Sequence, residues 1–218
     1  MQNLVIFGDT QFAERIYKYI KIEQAFNVLA FTQEADFINR VSIDGLPVVP
    51  YEELRGKYSD FSMLIAIGYE RMNELRRQIY TMCKNDGYQI ATLISRTAVV
   101  YADSIGEGTI ILPSVHIGPD CQIGKCNFFE SASVLSHDNI LGDFNFVSTN
   151  VVLGGFAKVG NNCFLGLHST IKNDIVIDDF SFIGSSANIL ISTCCTGGVF
   201  VGNPARCLKH RNSKEIKI

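Results

Sequence analysis

The chain has 218 residues, a formal net charge of −3 and 47% hydrophobic residues, with a pI near 5.8. That length admits one large domain or two small ones, and the mildly acidic balance argues against a nucleic-acid or membrane-surface partner. Apolar runs such as residues 4–7 and 63–67 are far too short to span a bilayer, and the start Met-Gln-Asn-Leu-Val-Ile-Phe-Gly-Asp lacks the positive region of a signal peptide, so a cytoplasmic location is expected. Residues 3–7 form a short apolar run ending in Gly8, the pattern of a buried first strand. Residues 11–22 follow with Phe12, Ile16, Tyr19 and Ile20 on one face of an amphipathic helix. A second strand is predicted over 28–32, an extended piece over 45–49 before Pro50, and a short helix over 51–55. A third strand covers 62–67. The next helix, 72–86, turns Leu75, Ile79 and Met82 or Cys83 inward and is closed by Gly87. A last strand spans 88–93. This alternation implies a small parallel sheet with helices on its faces.

From there on the chain reads in sixes. Ile105, Ile111, Ile117, Ile123, Phe129, Leu135, Leu141, Val147, Leu153, Val159, Leu165, Ile171, Ile177, Ile183 and Ile189 fall at one phase with no insertion. Glycine often follows the anchor, as at Gly118, Gly142, Gly154 and Gly166, and the residue two before it is small or polar, as at Cys121, Ser133, Asn145 and Cys163. This is a hexapeptide repeat, the mark of a parallel β-helix. Three units make one triangular coil, so residues eighteen apart stack, and each coil buries its anchors only against its neighbours. The glycine beside the anchor suits a sharp bend or a left-handed backbone. The register divides the chain into an α/β domain, 1–94, and a β-helix domain, 95–218.

Two of the predicted strand ends look like ligand loops, since sites in parallel sheets lie beyond the carboxyl ends of the strands. Gly8-Asp9-Thr10-Gln11-Phe12-Ala13 begins where a glycine-rich phosphate loop would, but keeps only the first glycine and a final alanine. Gly68-Tyr69-Glu70 is the second. Each also reads as a plain tight turn, and a dinucleotide dehydrogenase would want the missing glycines. Of the seven cysteines, Cys121 and Cys163 sit at small-residue positions and read as corner packing, while Cys194-Cys195 lacks metal-finger spacing. His116, His137 and His168 are not separated by eighteen or its multiples, so they do not stack within a chain, and no metal is expected. His137 is distinct. Eighteen residues on comes Gly155, so the neighbouring coil carries no side chain there, and a base beside bare backbone can admit a reacting group. Asp138 could orient the imidazole, provided the backbone bends to bring neighbouring side chains together.

The motifs Ile6-Phe7-Gly8, Ile65-Ala66-Ile67-Gly68-Tyr69, Ser136-His137-Asp138, Gly160-Asn161-Asn162-Cys163-Phe164-Leu165-Gly166 and Val201-Gly202-Asn203-Pro204-Ala205-Arg206 run through the whole chain. With them the chain resembles the bacterial nucleotide-sugar N-acetyltransferases of the bacillosamine and perosamine type, grouped with sialic-acid O-acetyltransferase-like proteins in the hexapeptide-repeat acyltransferase superfamily. The resemblance implies an α/β N-terminal Rossmann-like domain that docks the nucleotide sugar, joined to a C-terminal left-handed parallel β-helix. It implies a homotrimer with active sites between subunits, acetyl-CoA as co-substrate, and a role in cell-surface glycan biosynthesis. His137 would be the general base, Asp138 its acidic neighbour, and Gly155 a backbone amide near the thioester carbonyl. Acetyl-CoA would pass Phe146, Gly155, Leu167, Gly184 and Ser185 toward Pro204. The nucleotide sugar would meet Gly8, Asp9, Thr10, Gln11, Thr32, Gly68 and Tyr69, with Glu130 near the acceptor. Where family members often carry an acidic pair after the second strand, this chain has Thr32-Gln33-Glu34.

Sugar O-acetylation, transfer of a longer acyl chain, and a non-catalytic nucleotide-sugar-binding scaffold are the competing readings. His137 and the intact Pro204 segment argue against the scaffold. A sugar nucleotidyltransferase would need a catalytic domain much larger than the amino-terminal part of this chain.

Overall fold

The computed structural model describes residues 1–216. Its amino-terminal part is built on β1 (Asn3–Phe7), α1 (Gln11–Glu23), β2 (Asn27–Gln33), β3 (Ser42–Ile43), β4 (Leu46–Pro50), α2 (Leu54–Lys57), β5 (Ser62–Ile65) and α3 (Glu74–Asn85). The strands form one sheet in the order β3-β4-β2-β1-β5, parallel except for the β3–β4 hairpin pair. β1 lies between β2 and β5 and is wholly buried from Leu4 to Phe7, as its uninterrupted apolar run requires. α1 buries Ala13, Ile16 and Ile20 against it.

Two expected elements differ. α3 starts at Glu74 instead of residue 72, because Arg71, Met72 and Asn73 all take left-handed backbone angles, with φ of 53°, 52° and 62°. The expected strand 88–93 is divided. Ile90 makes one bridge to Met63, whereas Leu93–Ile94 (β6) pairs with Ile110–Ile111 and opens the β-helix.

The remainder is a three-faced parallel β-helix whose strands from Ser104 to Ile189 are two residues long, each ending on a hexad anchor. The first face runs from β6 through Phe128–Phe129, Phe146–Val147, Phe164–Leu165 and Phe182–Ile183 to Val199–Val201. The second carries His116–Ile117, Val134–Leu135 and Val152–Leu153. The third carries Gln122–Ile123, Ile140–Leu141 and Lys158–Val159. From Ser104 to Ile189 the pairings join residues eighteen apart, such as Leu135 with Leu153, while the end rungs, Leu93 with Ile110 and Phe182 with Val199, are seventeen apart. The anchors and the small residues at the corners make one continuous core. Cys121 and Cys163 are buried in it, and burial pushes the Cys163 thiol up to about 12, which leaves it inert.

The corners correct one expectation. The left-handed residue is three after the anchor, not beside it: Asp120, Asp138, Phe156 and Asp174 all have φ between 56° and 60°. The glycine beside the anchor answers a close approach instead. A Cβ on Gly118 would lie 2.6 Å from the Ser136 carbonyl oxygen, and one on Gly142 would lie 2.8 Å from that of Gly160.

The amino-terminal part packs on the first face. There Phe128, Phe146, Phe164 and Phe182 stack in a ladder with centroids 5.0–5.6 Å apart. Phe12 of α1 closes on Phe128, and Tyr69 stands edge-on to Phe146 and Phe164. Beside the ladder, Arg76 of α3 is buried at 2% exposure. It donates to the carbonyls of Ile67 and Gly68 on its own side, and to those of Cys126, Phe144 and Asn145 on the β-helix, at 3.0–3.2 Å. It also donates to Asn73 Oδ1, while Asn73 Nδ2 reaches the Cys163 carbonyl. Burial draws the guanidinium down to about 10, so it stays charged at neutral pH.

Replacing Arg76 by Met strands these carbonyls without donors, at about 1–3 kcal/mol for each that water cannot reach. Arg76→Met is expected to lose about 3 kcal/mol or more in urea unfolding and to split one transition into two as the halves uncouple. An unchanged single transition would show that the guanidinium does not join them.

Candidate active site

His137 lies at the corner between the second and third faces, two residues after its anchor. The left-handed Asp138, φ 56°, supplies the bend that brings neighbouring side chains together. Asp138 Oδ2 is 2.8 Å from His137 Nδ1. A carboxylate can only accept, so Nδ1 carries the proton and Nε2 presents its lone pair. The imidazole side chain is 50% exposed. Phe156 stands edge-on to it with centroids 5.2 Å apart, and the Phe156 amide donates to the His137 carbonyl.

The ring lies directly on Gly155. A Cβ there would come within 2.7 Å of Cε1 and 2.8 Å of Nε2. The bare backbone anticipated beside the base is therefore the seat of the imidazole itself. The Gly155 N–H has no acceptor among the described residues. At the equivalent step of the corner between the third and first faces, the amides of Lys125, Asp143 and Asn161 are each capped by the side chain eighteen residues on. Asn173 holds that place for Gly155, but its Nδ2 donates to Asp174 instead. One corner is thus sealed by its own side chains, and the other keeps a free donor beside a base.

The residues expected along acetyl-CoA divide. Leu167, Ser185 and Pro204 are exposed, and Gly184 lies beside Ser185 where its Cβ would strike Val201. Leu167, Gly184 and Ser185 follow first-face strands, at the corner between the first and second faces. Phe146 does not join them. It is 3% exposed, locked in the aromatic ladder under Phe12 and Tyr69, on the face opposite the His137 corner.

The residues expected at the nucleotide sugar also divide. A cleft of about 450 Å³ opens beyond the carboxyl ends of β1, β2 and β5. It brings Asp9, Thr10 and Gly68 together with Gln33, Glu34, Phe37, Asn39, Glu70 and Arg71. Gly8 sits behind it with φ 126°, where a Cβ would meet the Ala66 carbonyl at 2.8 Å. Gln11 begins α1 and lies outside the lining. Three others are engaged outside the cleft. Thr32 is fully buried and donates its hydroxyl to the Val49 carbonyl. Tyr69 turns away to the phenylalanine ladder. Glu130 is taken in a two-pronged pair by Arg15 of α1, at 3.0 and 2.5 Å. Sequence reasoning missed Phe37, Asn39 and Arg71, which come from loops without a repeat or spacing to mark them.

Among the described residues, no three His, Cys, Asp or Glu side chains converge on a metal position, and no helix is long and apolar enough to cross a membrane.

No family model matches the chain. Solved structures share its fold over nearly its whole length. The acetyltransferase domain of PglB from Neisseria gonorrhoeae FA1090, in complex with acetyl coenzyme A, is 21% identical with a TM-score of 0.85, covering 95% of this chain and 99% of that one. PerB from Caulobacter crescentus, in complex with CoA and GDP-perosamine, is 23% identical with a TM-score of 0.84, over 95% and 98%. WeeI from Acinetobacter baumannii AYE is 22% identical with a TM-score of 0.84, over 95% and 100%.

Gly155 and Gly142 should respond differently to a methyl group. Gly155→Ala presses on an exposed, movable ring, so its stability should change by less than about 1 kcal/mol while the His137 ring resonances shift. Gly142→Ala meets the Gly160 backbone in the next coil and should cost about 2 kcal/mol or more. Thermal unfolding and ¹H–¹³C spectra of the histidines check both; unmoved His137 resonances in Gly155→Ala would contradict the stacked geometry.

Proposed function

We propose that this chain is an acetyl-CoA-dependent N-acetyltransferase acting on the amino group of a nucleotide-linked amino sugar in glycan biosynthesis, with cytoplasmic substrates. One observation carries the reading: the His137 imidazole, held by Asp138 through Nδ1, lies on Gly155, whose amide has no internal acceptor. The shared fold with PglB and PerB supports it, since those proteins were solved with acetyl-CoA, and with CoA and a nucleotide amino sugar.

In this mechanism His137 Nε2 accepts the proton lost by the sugar amine as its nitrogen adds to the thioester carbonyl. The Gly155 N–H donates to the oxygen that gains charge, a preorganised donor that needs no reorientation during the reaction. As the new C–N bond persists and the C–S bond breaks, Nε2–H returns its proton to the departing CoA sulfur. Asp138 keeps the ring in the tautomer with Nε2 free and balances its charge while it is protonated. No covalent enzyme intermediate is required, and the buried Cys121 and Cys163 have their thiols raised by burial.

We read residues 1–94 as a Rossmann-like nucleotide-sugar domain and 95–218 as a left-handed β-helix. The amino-terminal part covers the first face, while His137 lies at the opposite corner. The exposed positions at Leu167 and Ser185 lie at a third place, one corner away from His137. A single chain presents base, cleft and these positions in different directions, which a threefold ring of chains would bring together.

His137→Ala should lower the rate of thiol release from acetyl-CoA, with an accepted amino-sugar nucleotide, by about 10²–10⁴ and leave folding intact. Near-normal turnover would sink the assignment of the base. Sedimentation equilibrium should return about three times the 24.2 kDa chain mass; a monomer that turns over normally would overturn the shared site.

A further inference from the structure

Asp9 stands in the first loop of the sheet, directly after Gly8. It is 1% exposed, and it precedes Thr10, the N-cap of α1. Its Oδ2 accepts the Asn39 amide at 2.6 Å, but its Oδ1 has no partner. A buried carboxylate oxygen left without a donor costs free energy, so a ligand that supplies an N–H or O–H there gains what the apo protein lacks. Asp9 lines the cleft at the strand ends, and Glu34 and Glu70 line it too, against the single guanidinium of Arg71. Three carboxylates around one cation disfavour a phosphate inside this cleft and favour a group rich in donors. The other walls are apolar, from Phe7, Ile67 and Leu75, and Phe37 stands at the rim 61% exposed. An exposed aromatic beside an apolar wall suits a flat ring that stacks.

Flat heterocycles differ in the edge they offer a carboxylate. Guanine presents N1–H and the 2-amino group side by side, two donors that match two carboxylate oxygens. Uracil and thymine present one N–H between two carbonyl acceptors, which a carboxylate repels. Cytosine sets its amino group beside an acceptor nitrogen, and adenine sets its own between two. Resting on the nucleotide-sugar reading above, we infer that this cleft seats the guanine of a guanosine diphosphate sugar, read by Asp9 through N1–H and the 2-amino group. The diphosphate then leads away from the three carboxylates, out of the cleft.

The test is calorimetric titration of the full chain with GDP, IDP, UDP and dTDP, in the wild type and in Asp9→Asn. IDP lacks only the 2-amino group. GDP is expected to bind at least tenfold tighter than UDP or dTDP and at least fivefold tighter than IDP, and Asp9→Asn to weaken GDP at least tenfold while acetyl-CoA binding is kept. If Asp9→Asn does not fold, the wild-type comparison of GDP with IDP still decides the point. IDP binding as tightly as GDP, or UDP or dTDP binding as tightly or tighter, overturns the guanine assignment and leaves the nucleotide-sugar reading standing. Binding of acetyl-CoA with no binding of any of the nucleotides overturns both.

Discussion

The guanidinium of Arg76 is held by carbonyl oxygens and one amide oxygen, and among the described residues no carboxylate pairs with it. A buried cation without a counter-ion is costly unless its donors are met, and here every nitrogen has at least one acceptor. Those acceptors lie on successive coils. Arg76 takes Cys126 from one rung and Phe144 and Asn145 from the next, and Asn73 reaches Cys163 on the third. In return Asn162 donates to the Met72 carbonyl. The left-handed run at 71–73 is what aims these groups at the corner, so the strain in that loop and the burial of Arg76 are parts of one joint. The same joint fixes Ile67 and Gly68, and therefore one wall of the cleft at the strand ends.

The hexad sets what each corner of the β-helix can do. Every corner needs a residue of left-handed conformation and room for coils to approach closely. The side chain two after the anchor is freer to vary. Asp143, Asn161 and Asp179 fill that position at one corner and cap each preceding amide, which makes the corner self-sufficient. At the corner of His137 the same position passes through Pro119, His137, Gly155 and Asn173. Glycine there gives the imidazole a place to lie, and without an acidic or amide side chain turned back on it, its N–H remains available. The candidate chemistry thus arises from substituting two rungs of a repeat, with the fold unchanged around them.

The spacing of the repeat carries much of this arrangement. The eighteen-residue stacking put Gly155 beside His137, and the structure has them in contact. The β-helix core follows the anchors without exception from Ile111 to Ile189. What the repeat does not encode is which outer side chains another part of the chain will cover. Phe146 carries the same outward position as exposed residues on other faces, yet the amino-terminal part lands on its face and buries it. Nor does the repeat encode the pairing of Glu130 with Arg15, 115 residues away in sequence. Arg76 left one faint trace: with Met72, Ile79 and Cys83 it keeps the spacing of an inward helical face, which placed a charge where an apolar residue belonged. Its partners are remote in sequence and are backbone atoms, which have no signature.

The joint between the two parts bears on the proposed reaction. The phenylalanine ladder and Arg76 pack the amino-terminal part on the first face, and the His137 corner lies on the opposite side of the triangular coil. On the proposed reading, a substrate gripped at the cleft would meet the imidazole of a neighbouring chain. Packing within the chain would then make association a condition of that chemistry, and the exposed apolar residues Val152, Phe156 and Val176, on the second and third faces and the corner between them, are the surface on which it would rest.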